Sequence, residues 1–182
     1  MENDNVSISE FLEGIGFSQE DIDDILVYAT NETDKKVLLE KLKYLVSIGY
    51  DADSITTILE EDITFMTEPL ELIKANVAVL SKFLEPQEII RATDVTPELL
   101  TIPEGELDKN IALIGILFND IDTVKIIIQD RGEILTYKPD YLSDKLTFFV
   151  NNGLKNKILS IIIENAEVFD LDNNEIDVEE LK

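Results

Sequence analysis

An internal period of 34 or 35 residues constrains this chain more than any other feature of its sequence. Thr67, Thr101, Thr136 and Asp170 follow one another at steps of 34, 35 and 34. Each is preceded by an apolar pair: Phe65-Met66, Leu99-Leu100, Ile134-Leu135 and Val168-Phe169. Pro69 has a counterpart in Pro103 and nearly in Pro139, while Ile55, Ile89, Val124 and Ile158 keep the same steps. Leu45, Val79 or Leu80, Ile114, and Phe148 or Phe149 occupy matching ground. A period in this range marks a solenoid, in which each unit buries its apolar face against its neighbours. An irregular helical bundle whose apolar spacing recurs by chance is the plainer alternative. Agreement of an apolar pair, a Thr and a Pro at one period argues against it.

The clearest copy runs from Leu39 to Pro69. Val37, Leu38, Leu42, Leu45, Val46 and Ile48 form one helical face, and Gly49 is placed as its C′ glycine. Asp53 or Ser54 is expected to cap a second helix that buries Ile55, Ile58 and Leu59. Phe65-Met66 opens a short third turn. Towards the N-terminus, residues 7–30 read as a partial extra unit. Ile8, Phe11, Leu12 and Ile15 share one side, and Ser18 with Asp21 resembles a capping box before Ile22, Ile25, Leu26 and Ala29. Thr30 to Asp34 reads as a loop.

These elements predict one all-α domain over 1–182. It is a helical repeat solenoid of about four units of 34–35 residues, each of two longer helices and a short one. Residues 1–6 and 172–182 are expected to be flexible acidic ends.

The charge is uneven. The net charge is −24, and residues 1–34 hold ten acids with no Lys or Arg. Residues 164–182 hold eight acids and one Lys. Such a field repels phosphates and anionic membranes and attracts basic partners. There is no Cys and no His, so thiolate metal sites, disulfides and the commonest general base are all absent. The aromatics are eight Phe and five Tyr, expected mostly in the core. Neither a leader pattern nor a membrane-length apolar run is seen, and the expected location is the cytoplasm.

The run Leu42, Leu45, Ile48-Gly49-Tyr50-Asp51 with Ile55, Ile58 and Leu59, closed by Phe65-Met66 and Pro69, resembles the repeat of the mitochondrial transcription termination factor family. Leu99-Leu100 with Pro103 and Ile134-Leu135 with Pro139 repeat that ending, and the resemblance spans most of residues 7–171. It implies a right-handed-type helical repeat curved into a half-ring that binds nucleic acid along a basic concave groove. This chain departs from the family in lacking the basic excess and the transit peptide. Lys41, Lys74, Lys109 and Lys145 fall at nearly the same place in each first helix, and a line of them would track a phosphate backbone. The alternative is a solvated face that neutralises Glu40, Glu71, Asp108 and Asp144.

Chemistry is sparse. No phosphate loop occurs, since Gly14-Ile15-Gly16 lacks the strand context and the Lys. Carboxylate runs such as Glu60-Glu61-Asp62 read as caps and exposed faces. Asp170, Asp172, Asn174 and Glu180 resemble a calcium loop one residue short, without its turn glycine. The other reading of that stretch is an acidic cap over the last unit.

The sequence therefore points to a non-enzymatic, cofactor-free scaffold for a basic protein partner, with nucleic-acid mimicry inside that class. A nucleic-acid-binding module using the four Lys is the alternative, and an enzyme is third. Leu45→Ala removes a core contact shared between units and is expected to cost about 2–5 kcal/mol. An unchanged melting temperature would show the register to be wrong.

Overall fold

The structure is a computed structural model and describes residues 6–181. Those residues form ten α-helices joined by 3-10 turns, with no strand among them. Two short helices, α1 (Ile8–Ile15) and α2 (Gln19–Tyr28), come first. The order helix, helix, 3-10 turn then occurs four times. The elements are α3 (Glu32–Ser47), α4 (Ala52–Glu61) and Ile63–Met66, followed by α5 (Leu70–Leu80), α6 (Pro86–Val95) and Pro97–Leu100. After them come α7 (Glu106–Phe118), α8 (Ile121–Asp130) and Gly132–Thr136, then α9 (Pro139–Asn151), α10 (Ile158–Glu164) and Ala166–Phe169. One further 3-10 turn, Lys155–Lys157, leads into α10.

Contacts follow this order. The longer helices α3, α5, α7 and α9 touch in series, as do α4, α6, α8 and α10, and α1 lies on α3. The first three of the four closing 3-10 turns also meet in series. The buried apolar side chains fall into two clusters. One gathers Ile8 through Phe65 with Ile73, Val77, Ile90 and Leu100. The other runs from Leu80 and Leu84 to Phe169 and Ile176. Leu99, Leu100, Ile134 and Leu135 are wholly buried, as are Phe65 and Phe169, while Met66 and Val168, the other members of the first and last apolar pairs, are half-buried.

Local chemistry sets the helix ends. Ser18 Oγ accepts from the Asp21 amide while the Asp21 side chain accepts from the Ser18 amide, a reciprocal cap. After α3, the Gly49 amide donates to Val46 O and the Tyr50 amide to Leu45 O, with Gly49 at φ 107°. That is a Schellman ending, and it needs the left-handed conformation glycine adopts at no steric cost. Two boundaries differ from the sequence reading. The expected Thr30–Asp34 loop is cut short, because the Asn31 side chain accepts from the Thr33 and Asp34 amides and starts α3 at Glu32. Asp51, rather than Asp53 or Ser54, caps α4 by accepting from the Ser54 amide. Val37, expected on the buried face of α3, is exposed, because the inward stripe runs through Leu38, Lys41, Leu42 and Leu45.

Several polar contacts tie successive segments together. Tyr50 Oη lies 2.7 Å from Thr93 Oγ1 in a buried pair, and burial raises the Tyr50 phenol above its ordinary range. Thr101 donates to the buried Asp62 carboxylate at 2.6 Å, and Thr64 donates to it at 2.5 Å. The Arg131 guanidinium donates to Ile163 O at 3.0 and 2.5 Å. At Gly132 two 3-10 turns come so close that a Cβ would lie 2.9 Å from both Leu99 Cδ1 and Thr96 Oγ1.

Gly132→Ala is therefore expected to destabilise the fold by about 1–3 kcal/mol through overpacking. Gly115→Ala, in α7 with nothing within 4 Å of the added carbon, is expected to be neutral or stabilising by up to about 1 kcal/mol. Urea denaturation of the two variants checks the contrast.

Candidate protein-binding groove

The four Lys singled out by the sequence are not equivalent in space. Lys41 and Lys145 are buried, while Lys74 and Lys109 are exposed. Lys41 Nζ donates to Phe65 O at 2.7 Å and Met66 O at 3.0 Å. Lys145 Nζ donates to Leu171 O and sits over the Tyr141 ring. Burial lowers both ammonium pKa values. Glu68 opposes that shift at Lys41, and Asp172, Asp170 and Glu175 oppose it at Lys145. Neither charge faces an open groove. Lys74 lies over the Tyr44 ring, 5.6 Å from its centroid, at the surface.

The residues that do align with Lys41 and Lys145 are Asn76 and Asn110, at steps of 35, 34 and 35. Asn76 donates to Leu100 O at 3.0 Å and Ile102 O at 2.8 Å. Asn110 donates to Leu135 O at 2.9 Å and Tyr137 O at 2.7 Å. Each longer helix thus carries one buried polar side chain that reaches back-bone carbonyls 24 to 27 residues later. In the last segment Lys145 reaches beyond the 3-10 turn, and Tyr141 Oη donates to Phe169 O at 2.5 Å instead. The carbonyls of Met66, Leu100, Leu135 and Phe169, one per closing turn, are all satisfied in this way. A signal for these residues was present in the sequence. Each has an apolar residue three before and four after it: Leu38 and Leu45, Ile73 and Leu80, Leu107 and Ile114, Leu142 and Phe149. That spacing puts the polar group on the inward face.

The acidic C-terminal stretch is built from turns. Asp170 accepts from Tyr137 Oη, and desolvation together with that carboxylate raises the Tyr137 pKa. The Asp172 amide donates to the Glu175 carboxylate at 3.0 Å, and Asn174 and Glu180 are exposed. Among the described residues no group of three or more His, Cys, Asp or Glu is arranged to hold a metal ion. Ile176 is buried, and Val178 and Leu181 pack on the C-terminal core. Residues 1–5 and 182 of the expected flexible ends lie outside the described residues.

A half-open concavity of about 430 Å³ lies between α2 and α4. Phe17, Ile25, Leu59 and Met66 supply an apolar lining, and Asp21, Asp24 and Glu60 stand in its wall. Val27 and Tyr28 complete one side and are 67% and 61% exposed. The groove exists because α2 makes only slight contact with α4, whereas α4 packs on α6 and α6 on α8. The two helices together carry seven acids and no Lys or Arg. Asp21 is engaged in the cap of α2, while Asp24 and Glu60 have no hydrogen bond or ion pair among the described residues. Further along the same row the charge is mixed, with Arg91 and Lys125 near Glu88.

No family model matches the sequence, and no curated protein matches it. Among the described residues no helix is long and apolar enough to cross a membrane.

Lys41→Met leaves the Phe65 and Met66 carbonyls without a donor in a buried site and is expected to cost about 1–3 kcal/mol. Lys109→Gln, at an exposed position, is expected to stay within about 0.5 kcal/mol. Equal losses in thermal denaturation would show that burial does not separate the two residues.

Proposed function

We propose that this chain is a non-enzymatic helical-repeat solenoid that binds a basic protein partner through its acidic surface. The four-fold recurrence of helix, helix and 3-10 turn, with contacts running in series, supports the solenoid reading. The observation that carries the binding reading is the groove between α2 and α4. Open apolar surface lies there beside Asp21, Asp24 and Glu60, and neither helix carries a Lys or Arg. Apolar area supplies affinity, and the surrounding field steers a cationic partner and rejects an anionic one. Mimicry of a nucleic acid falls within the same reading, with the acids standing in for phosphates towards another protein's basic site.

The alternative of a module that tracks a phosphate backbone, suggested by likeness to the termination-factor repeat, has less support. Two of its four Lys spend their charge on internal carbonyls. The remaining pair, Lys74 and Lys109, sit in a chain of net charge −24.

The two readings separate in a titration at low salt. The chain is expected to bind an immobilised basic protein such as cytochrome c, with affinity that falls as salt rises. It is expected to leave single-stranded DNA and RNA unbound. Salt-dependent binding to either nucleic acid, without binding to the basic protein, would reverse the order of the two readings.

A further inference from the structure

We infer that the groove between α2 and α4 docks about two turns of an amphipathic α-helix of the partner, with an apolar edge flanked by Lys or Arg. This rests on the reading of the chain as a scaffold for a basic protein. Four features define the occupant. The groove is walled by Asp21 to Tyr28 of α2 and Thr56 to Glu60 of α4, which at 1.5 Å per residue is about 10 Å along the longer wall, the length of two helical turns. Its volume of about 430 Å³ falls in the range of pockets that take apolar groups, about 300–1,000 Å³. A helix lying along it would insert side chains spaced i, i+3 or i+4, and i+7 against Ile25, Leu59 and Met66, the mode by which helices fill grooves. Asp24 and Glu60, one from each wall and each without a partner among the described residues, meet cations on either flank of that edge.

Charge selects among occupants. A second copy of this chain would bring net charge −24 against the same acids, and an anionic lipid surface or a nucleic acid would meet the same repulsion. A helix with Lys or Arg beside Leu or Ile satisfies both the floor and the rim. The opening also has a structural origin: α4 packs on α6 and α6 on α8, whereas α2 packs less closely on α4.

The test uses the full chain and a fluorescein-labelled synthetic peptide of 14 to 16 residues, with Leu at i, i+3, i+7 and i+10 and Lys on both flanks. A scrambled peptide of identical composition has no apolar edge. Anisotropy is expected to show binding of the first peptide at about tenfold higher affinity than the second. Asp24→Lys combined with Glu60→Lys, and separately Val27→Glu, are each expected to weaken binding by about tenfold or more. Glu164→Lys combined with Glu167→Lys, the same charge change on the last segment, is expected to stay within about twofold. Thermal melts confirm that every variant is folded. Equal affinity for both peptides, or equal loss in both double reversals, would overturn the groove while leaving a diffuse acidic binding surface intact. Absence of peptide binding while the basic protein still binds would do the same. Failure of both would remove the scaffold reading itself. Dimerisation in sedimentation that Val27→Glu abolishes would assign the groove to a second copy and overturn the inference.

Discussion

One buried polar contact, repeated, holds this architecture together. Each longer helix lies beside a 3-10 turn that comes about 25 residues later, and that turn exposes carbonyls its own hydrogen bonding leaves free. A buried carbonyl without a donor costs about 1–3 kcal/mol, so the turn can enter the core only if the helix supplies one. Lys41, Asn76 and Asn110 do so, and Lys145 with Tyr141 does so at the end of the chain. The apolar pairs of the turns, such as Leu99-Leu100 and Ile134-Leu135, are then wholly buried. Without the donors, the same pairs would be drawn inward by their apolar area and held out by their backbone.

The clamp accounts for contacts further along the row. With each turn fixed to its own helix, the turns can pack on one another, and they do so closely enough that Gly132 has no room for a Cβ. Thr101 reaches back to Asp62, and Arg131 reaches forward to Ile163 O. These links run across segments and use side chains that differ from one junction to the next. The common interaction within a segment is conserved in geometry, and the links between segments are individual. At the C-terminal end, turns carrying Ile176, Val178 and Leu181 cover the last apolar surface. At the other end α1 covers α3, but α2 packs less closely on α4. The groove is the consequence of that looser packing, and acids on both of its walls set its chemistry.

Much of this was legible in the chain. The period placed the apolar pairs and Ile55, Ile89, Val124 and Ile158, all of which lie in the core except the half-buried Met66 and Val168. Gly49 and the Ser18 cap followed from local chemistry that acts within a few residues. Lys41 and Lys145 turn inward while Lys74 and Lys109 turn outward, because the Lys recur in residue type but not in helical phase. Lys74 lies two residues before Asn76 and Lys109 one before Asn110, and on a helix a shift of one or two residues turns a side chain by 100° or 200°. The groove was not legible at all, since Asp24 and Glu60 are 36 residues apart and nothing local to either one indicates the other.

The sequence by itself determined the helices, their order and the sign of the surface charge. Those properties depend on interactions among near neighbours, on apolar periodicity and on composition. Only the tertiary structure decided which polar residues turn inward to hold the carbonyls, how closely the 3-10 turns approach, and where two helices pack less closely. Each of these depends on the distance between groups remote in sequence, and burial gives that distance its energetic weight.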